Sequence, residues 1–179
     1  MNIEKWTAKM QEAIQKAIMM ASEMGHQVVD VEHFLLALLE DNAGILYRVL
    51  SKSNVDIAGI QNNLSSRLQS KPVVSNVDIN SIRISYDLNQ LFSLADKQMN
   101  KFKDEYLSVE HLIMALFELN SSWVKDLLNE YKCWMSVTND YIAEHVGVNK
   151  STVSRWMKGE TKVMKPAVIE KLSYLLGTD

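Results

Sequence analysis

Apolar residues recur at spacings of three and four from Trp6 through Met10, Ala13, Ile14 and Ala17, and again from Ile84 through Leu88, Leu91, Phe92 and Ala95. That rhythm lines one face of a helix and predicts helices over 7–24 and 85–100. Thr7 and Ser85 stand just ahead of the two runs, where a hydroxyl can accept a bond from an orphan backbone N–H. Residues 31–40 and 109–118 are apolar nearly all round, which predicts helices buried on most sides. Shorter helices are predicted over 43–52, 56–69 and 122–132, with Asn42-Ala43-Gly44 as a turn and Asp56 as a cap. Pro72 ends the first set, and Val73, Val74, Val77 and Ile79 predict an extended path over the core.

The pattern is a duplication. Val31-Glu32-His33-Phe34-Leu35-Leu36-Ala37-Leu38-Leu39-Glu40 returns as Val109-Glu110-His111-Leu112-Ile113-Met114-Ala115-Leu116-Phe117-Glu118, six of ten residues identical at an offset of 78. The offset holds upstream, pairing Trp6 with Ile84 and Thr7 with Ser85, and downstream, pairing Leu46 with Val124 and Leu50 with Leu128. One structural unit is therefore written twice, in copies over 1–70 and 80–132. These residues resemble the amino-terminal double repeat of the Clp ATPases, over about residues 1–132. The resemblance implies an all-α, pseudo-twofold module that recruits substrates or adaptors to an ATPase ring. Gly25-His26 is read as having no counterpart in copy two, which has Lys103-Asp104 there.

Glu32 and Glu110 occupy matched helix starts. A carboxylate there stabilises its own helix electrostatically. The resemblance adds a second role, recognition of cationic peptide groups in one branch of the family, and marks both as peptide-binding candidates.

The fourth helix of copy two would fall at 134–147, but that segment fits another pattern. Ala143 is small where two helices would cross, and Gly147 follows where a turn needs positive φ. Ile142, Val146, Val148, Val153 and Trp156 are spaced to share a core, and Asn149 can cap the next helix. The segment from Thr138 to Leu176 resembles the Cro and phage-repressor class of helix-turn-helix domains, with Pro166 opening a further helix. A second domain over 122–179 is thus predicted, sharing the helix 123–132 with the repeat. The resemblance implies a DNA-binding face of Asn149, Lys150, Ser151, Thr152, Ser154, Arg155 and Lys158, short polar and cationic side chains suited to base edges and phosphates.

Charge fits that division. Residues 1–132 carry 13 basic and 17 acidic side chains, whereas residues 133–179 carry 6 and 5, on a chain of net charge -3. Cys133 is the only cysteine, which excludes an internal disulfide and fits a cytoplasmic setting. No signal-peptide pattern and no long apolar run occurs, so no membrane association is expected. His33 and His111 are read as buried, hydrogen-bonded histidines. No ligand spacing joins them to His26, His145 or Cys133, and no metal or cofactor is expected. Neither the phosphate-loop spacing nor a G-x-S-x-G elbow appears, so an enzyme is not expected.

Two functions follow. The first is a sequence-specific transcriptional regulator, in which a Clp-like sensor binds a protein or peptide and the helix-turn-helix binds double-stranded DNA, with paired half-sites implying a homodimer. The second is an ATPase-free Clp-type protein-interaction module.

Overall fold

The computed structural model describes residues 3–52, 55–131, 143–144 and 147–157. Copy one contributes α1 (Ala8–Glu23), β1 (Val28–Val29), α2 (Val31–Glu40), α3 (Ile45–Lys52) and α4 (Ile57–Gln69). Copy two contributes β2 (Arg83–Ile84), α5 (Tyr86–Phe102), α6 (Val109–Glu118) and α7 (Ser122–Glu130), and α8 (Lys150–Met157) follows. The helices expected from periodicity are present, their ends displaced by a residue or two. Among the described residues no helix is long and apolar enough to cross a membrane.

Both caps form as the sequence suggests. Thr7 Oγ1 accepts from the Met10 N–H at 3.4 Å, and Ser85 Oγ accepts from the Leu88 N–H at 3.1 Å. Helices α2 and α6 are the matched buried helices of the two copies, α2 packed on α1 and α4 and α6 on α5. Phe34, Leu39, Leu112 and Ala115 on them are all but fully buried, as their all-round apolar character requires. Phe92 of α5 ties the copies together, with ring centroids 4.7 Å from Trp6 and 5.2 Å from Phe34.

The copies are latched by exchange. β1 pairs in parallel with β2, Val28 opposite Arg83 and Val29 opposite Ile84, so the loop before α2 grips the segment leading into α5. The reciprocal bridge joins Leu107, before α6, to Trp6, before α1. Backbone bonds repeat the symmetry: Ser85 N–H donates to the Val29 carbonyl and Thr7 N–H to the Leu107 carbonyl, each at 3.0 Å. Each half's loop therefore closes on the other half, and neither latch can form within one copy.

Gly25 and Lys103 both have left-handed backbone, φ 73° and 58°, just beyond α1 and α5. Gly25-His26 thus has a structural counterpart after all in Lys103-Asp104. A Cβ on Gly25 would meet Val73 Cγ1 at 2.6 Å and the Val74 carbonyl oxygen at 2.9 Å, and only glycine fits beneath the inter-repeat linker. That linker is pinned by the Val74 N–H on the Gly25 carbonyl at 2.8 Å. Val73, Val74 and Ile79 are exposed, so the linker crosses the surface without laying its valines on the core.

Candidate functional site

A surface groove of about 450 Å³ lies where α1, the end of α2, the start of α3 and the start of α6 meet. Ala13, Ala37, Leu38, Leu46 and Val109 make an apolar floor, and Ile45 borders it. Alanines at Ala13 and Ala37 leave the room that larger side chains would take. The rim is charged. Lys9 bonds Asp41 at 3.0 Å and Glu12 at 3.3 Å, and Lys16 bonds Glu40 at 3.1 Å. Hydrogen bonds donated by Lys9 to Asp41 and to Glu12 raise the Lys9 pKa, and the Lys9 bond lowers that of Asp41. Glu110 also lines the groove, half-buried at the start of α6, and makes no ion pair among the described residues.

Glu32 is placed differently. It is 3% exposed, with Arg67 Nε at 3.4 Å and Lys71 Nζ at 3.3 Å from Oε1. Lys71 also bonds Asp30 at 2.8 Å. Burial pushes the Asp30 carboxyl up, but hydrogen bonds from Lys71 and Ser85 outweigh it and hold the group below its usual range. The Arg67 guanidinium lies over the Trp123 ring, 4.2 Å from its centroid. Sequence reasoning did not single out Arg67, Lys71 or Trp123 as parts of a site. The signal was available: at the offset of 78, Trp123 answers to Ile45, Leu91 to Ala13, Leu94 to Lys16 and Leu119 to Asp41. The positions around Glu32 that correspond to the groove beside Glu110 thus hold larger apolar residues.

The histidines beneath these helix starts are buried and bonded. The Asp30 N–H donates to His33 Nδ1 at 3.0 Å, and His33 Nε2 lies 2.9 Å from His26 Nδ1. In copy two the Ser108 N–H donates to His111 Nδ1 at 3.1 Å, and Asp104 takes the place of His26, 2.8 Å from His111 Nε2. Burial, reinforced by His26, lowers the His33 pKa to about 4, and burial lowers that of His26. Among the described residues His26 Nε2 has no hydrogen-bond partner. Among the described residues no group of three His, Cys, Asp or Glu side chains is placed to hold a metal ion.

In the tail, Ala143 and Val153 are buried and Gly147 has φ 74°, as their spacing predicted. The Asn149 carbonyl accepts from the Thr152 and Val153 N–H groups as α8 begins. Asn149, Ser151 and Arg155 are exposed, while Lys150 and Thr152 are half-buried. Ile142, Val146, Lys158, Pro166 and the side chains of Ser154 and Trp156 lie outside the described residues.

Comparison with known proteins corrects the first reading of this tail. The chain is 38% identical to the chaperone protein ClpB of Bacillus cereus over 120 residues, 66% of this chain and 14% of that protein's length. Its fold matches the Hsp104 N-terminal domain of Candida albicans, with TM-score 0.62 and 18% identity, over 98% of this chain and 93% of that one. It also matches a ClpV N-domain solved in complex with a VipB peptide, with TM-score 0.61 and 20% identity, over 72% and 80% of the two chains. These relatives are chaperones and their N-domains, and the transcriptional-regulator reading is overturned. None of these relatives supports a DNA-reading role for the face of Asn149, Lys150, Ser151, Thr152, Ser154, Arg155 and Lys158. The physical reason is charge. Of its described cations, Lys150 is already engaged and Arg155 Nε bonds the Ser151 carbonyl at 3.3 Å, on a chain of net charge -3. Among the described residues the face carries only Lys150 and Arg155 as cations, a small charge to set against a phosphate backbone. Residues 5–131 match the Clp repeat (R) N-terminal domain, and with the duplicated caps, latches and helix pair, the chain belongs to that family.

Proposed function

We propose that this domain is a peptide-receiving module, which holds a segment of a protein partner in the groove between α1, α2, α3 and α6. The observation that carries the reading is the pairing of an apolar floor with a carboxylate left over. Lys9 and Lys16 are spent on Asp41, Glu12 and Glu40, while Glu110 has no ion-pair partner among the described residues. A peptide that buries an aliphatic side chain on Ala13, Ala37 and Leu38 and offers a cation to Glu110 satisfies both features. The ClpV N-domain with its VipB peptide supports the same use of this fold. Glu110 is the binding carboxylate in this reading, and Glu32 is held by its own chain.

The test is an array of short peptides tiled from an unfolded protein, probed with the labelled chain. Captured peptides should carry Arg or Lys near Leu, Ile or Phe. Capture should drop in Glu110→Lys, and also in Ile45→Trp, which borrows the residue of the matching position in copy two. Capture that ignores both substitutions would remove the groove from the account.

A further inference from the structure

The two copies satisfy their buried histidines differently. In copy two the Asp104 carboxylate meets His111 Nε2, and a carboxylate brings no donor of its own. In copy one the same seat holds His26. The Asp30 N–H donates to His33 Nδ1, so His33 carries its proton on Nε2 and gives it to His26 Nδ1. With Nδ1 accepting, a neutral His26 carries its own proton on Nε2. Burial first, and then the nearby Lys71, lowers the His26 pKa, so the ring is uncharged near neutrality. Its Nε2–H is therefore a fixed donor, and among the described residues it has no acceptor. His26 is only 3% exposed, and a buried donor left unbonded is unfavourable.

His26 lines a pocket of about 360 Å³ together with Val28 and the linker residues Lys71, Pro72 and Val74. Val28 and Val74 are partly exposed and give the pocket an apolar rim. Charge selects the occupant. Lys71 is engaged with Asp30 at 2.8 Å and Glu32 at 3.3 Å, and Arg67 also faces Glu32. The cations and carboxylates beside the pocket thus balance. An entering anion would stand uncompensated near Asp30, and an entering cation would face a donor N–H and the Lys71 ammonium. A neutral acceptor meets neither obstacle.

We propose that this pocket receives a neutral amide of a partner segment, whose carbonyl oxygen accepts from the His26 Nε2–H. An Asn or Gln side chain and a backbone amide both supply that chemistry. The choice of histidine is what the reading explains. An aspartate would serve His33 as Asp104 serves His111, and only histidine adds a second donor. The pocket shares no lining residue with the groove beside Glu110 and does not depend on how that groove is used.

The experiment uses the full ¹⁵N- and methyl-labelled chain, with the His26 ring nitrogens and the Val74 amide followed by NMR. Acetamide is the probe for a side-chain amide, N-methylacetamide for a backbone amide, and sodium acetate at matched ionic strength for an anion. At least one amide should shift His26 Nε2 and Val74 saturably, and the lower midpoint of the two names the source. Acetate should need about tenfold more, or fail to saturate, because Asp30 repels it. His26→Asp copies Asp104, keeping an acceptor for His33 and removing the donor, and the amides should then leave Val74 unmoved. Acetate binding as tightly as the amides, a His26 Nε2 that ignores both amides, or an unchanged Val74 response in His26→Asp would overturn the proposal. If His26→Asp does not fold, the unaltered chain supplies the second arm. Nuclear Overhauser contacts should then join the acetamide methyl to the Val74 methyls, and their absence at high acetamide would refute the site.

Discussion

Acidification should weaken the domain through His33, in a pH range where its carboxylates contribute little. His33 is fully buried and accepts the Asp30 N–H at Nδ1, which leaves Nε2–H to donate to His26 Nδ1. A second proton on His33 would face the Asp30 amide and break the first bond. Burial, with His26 beside it, holds its pKa near 4, against about 6.5 in an unfolded chain. The folded value lies below the unfolded one, so the unfolded state binds more protons between them. Stability is then fully present above about pH 6.5 and falls as pH drops toward 4. A shift of that size corresponds to about 3 kcal/mol, lost at about 1.4 kcal/mol per pH unit within the window. His26, lowered by its own burial, adds with the same sign. Asp30 is held below its usual range, so its contribution disappears only at more acid pH, outside this window. The assay is urea unfolding from about pH 7.5 to about pH 4.5, with His33→Gln as the comparison. Its ΔG should be lower near neutrality but flatter with pH. Parallel curves for the two proteins, or a His33 resonance titrating near its ordinary value, would refute the reasoning.

Other substitutions test the architecture. Gly25→Ala places a Cβ against Val73 and the Val74 carbonyl at left-handed φ, and should cost about 1–3 kcal/mol in thermal unfolding. Ser85→Ala removes the acceptor that caps α5, and should cost about 1 kcal/mol by chemical denaturation. Leu64→Ala empties a fully buried position on α4 and should cost about 2–5 kcal/mol in the same assay.

The helices were legible because burial imposes a period on the chain, and the offset of 78 carried Thr7 onto Ser85 and Trp6 onto Ile84. The latches were not read, since a two-residue strand leaves no periodic trace, although the same offset relates them. Gly25-His26 seemed unmatched because residue types were compared. Lys103 adopts the left-handed backbone that glycine takes more cheaply, and Asp104 accepts from His111 in copy two as His26 does from His33 in copy one. Arg67 escaped notice because it meets Glu32 across 35 positions and Trp123 across the pseudo-twofold, a meeting no local spacing encodes. The tail misled for a different reason. A small residue at a helix crossing, a glycine turn and an apolar partner serve any packed helix pair, so Ala143, Gly147 and Val153 fit their pattern without implying DNA.

The duplication also explains how two matched surfaces can differ. The small Ala13 keeps one groove open, while Leu91, Leu94 and Trp123 stand at the corresponding positions of the other copy in place of Ala13, Lys16 and Ile45. The caps and latches hold both backbones alike, so these positions differ between the copies in their side chains.

A charge exchange across the open groove tests the central claim most directly. A captured peptide and its Arg→Glu variant are each titrated against the unaltered chain and against Glu110→Arg, by fluorescence anisotropy. The account predicts tight binding for the two opposite-charge pairs and weak binding for the two like-charge pairs. Equal affinity of the original peptide for the chain and for Glu110→Arg would contradict it.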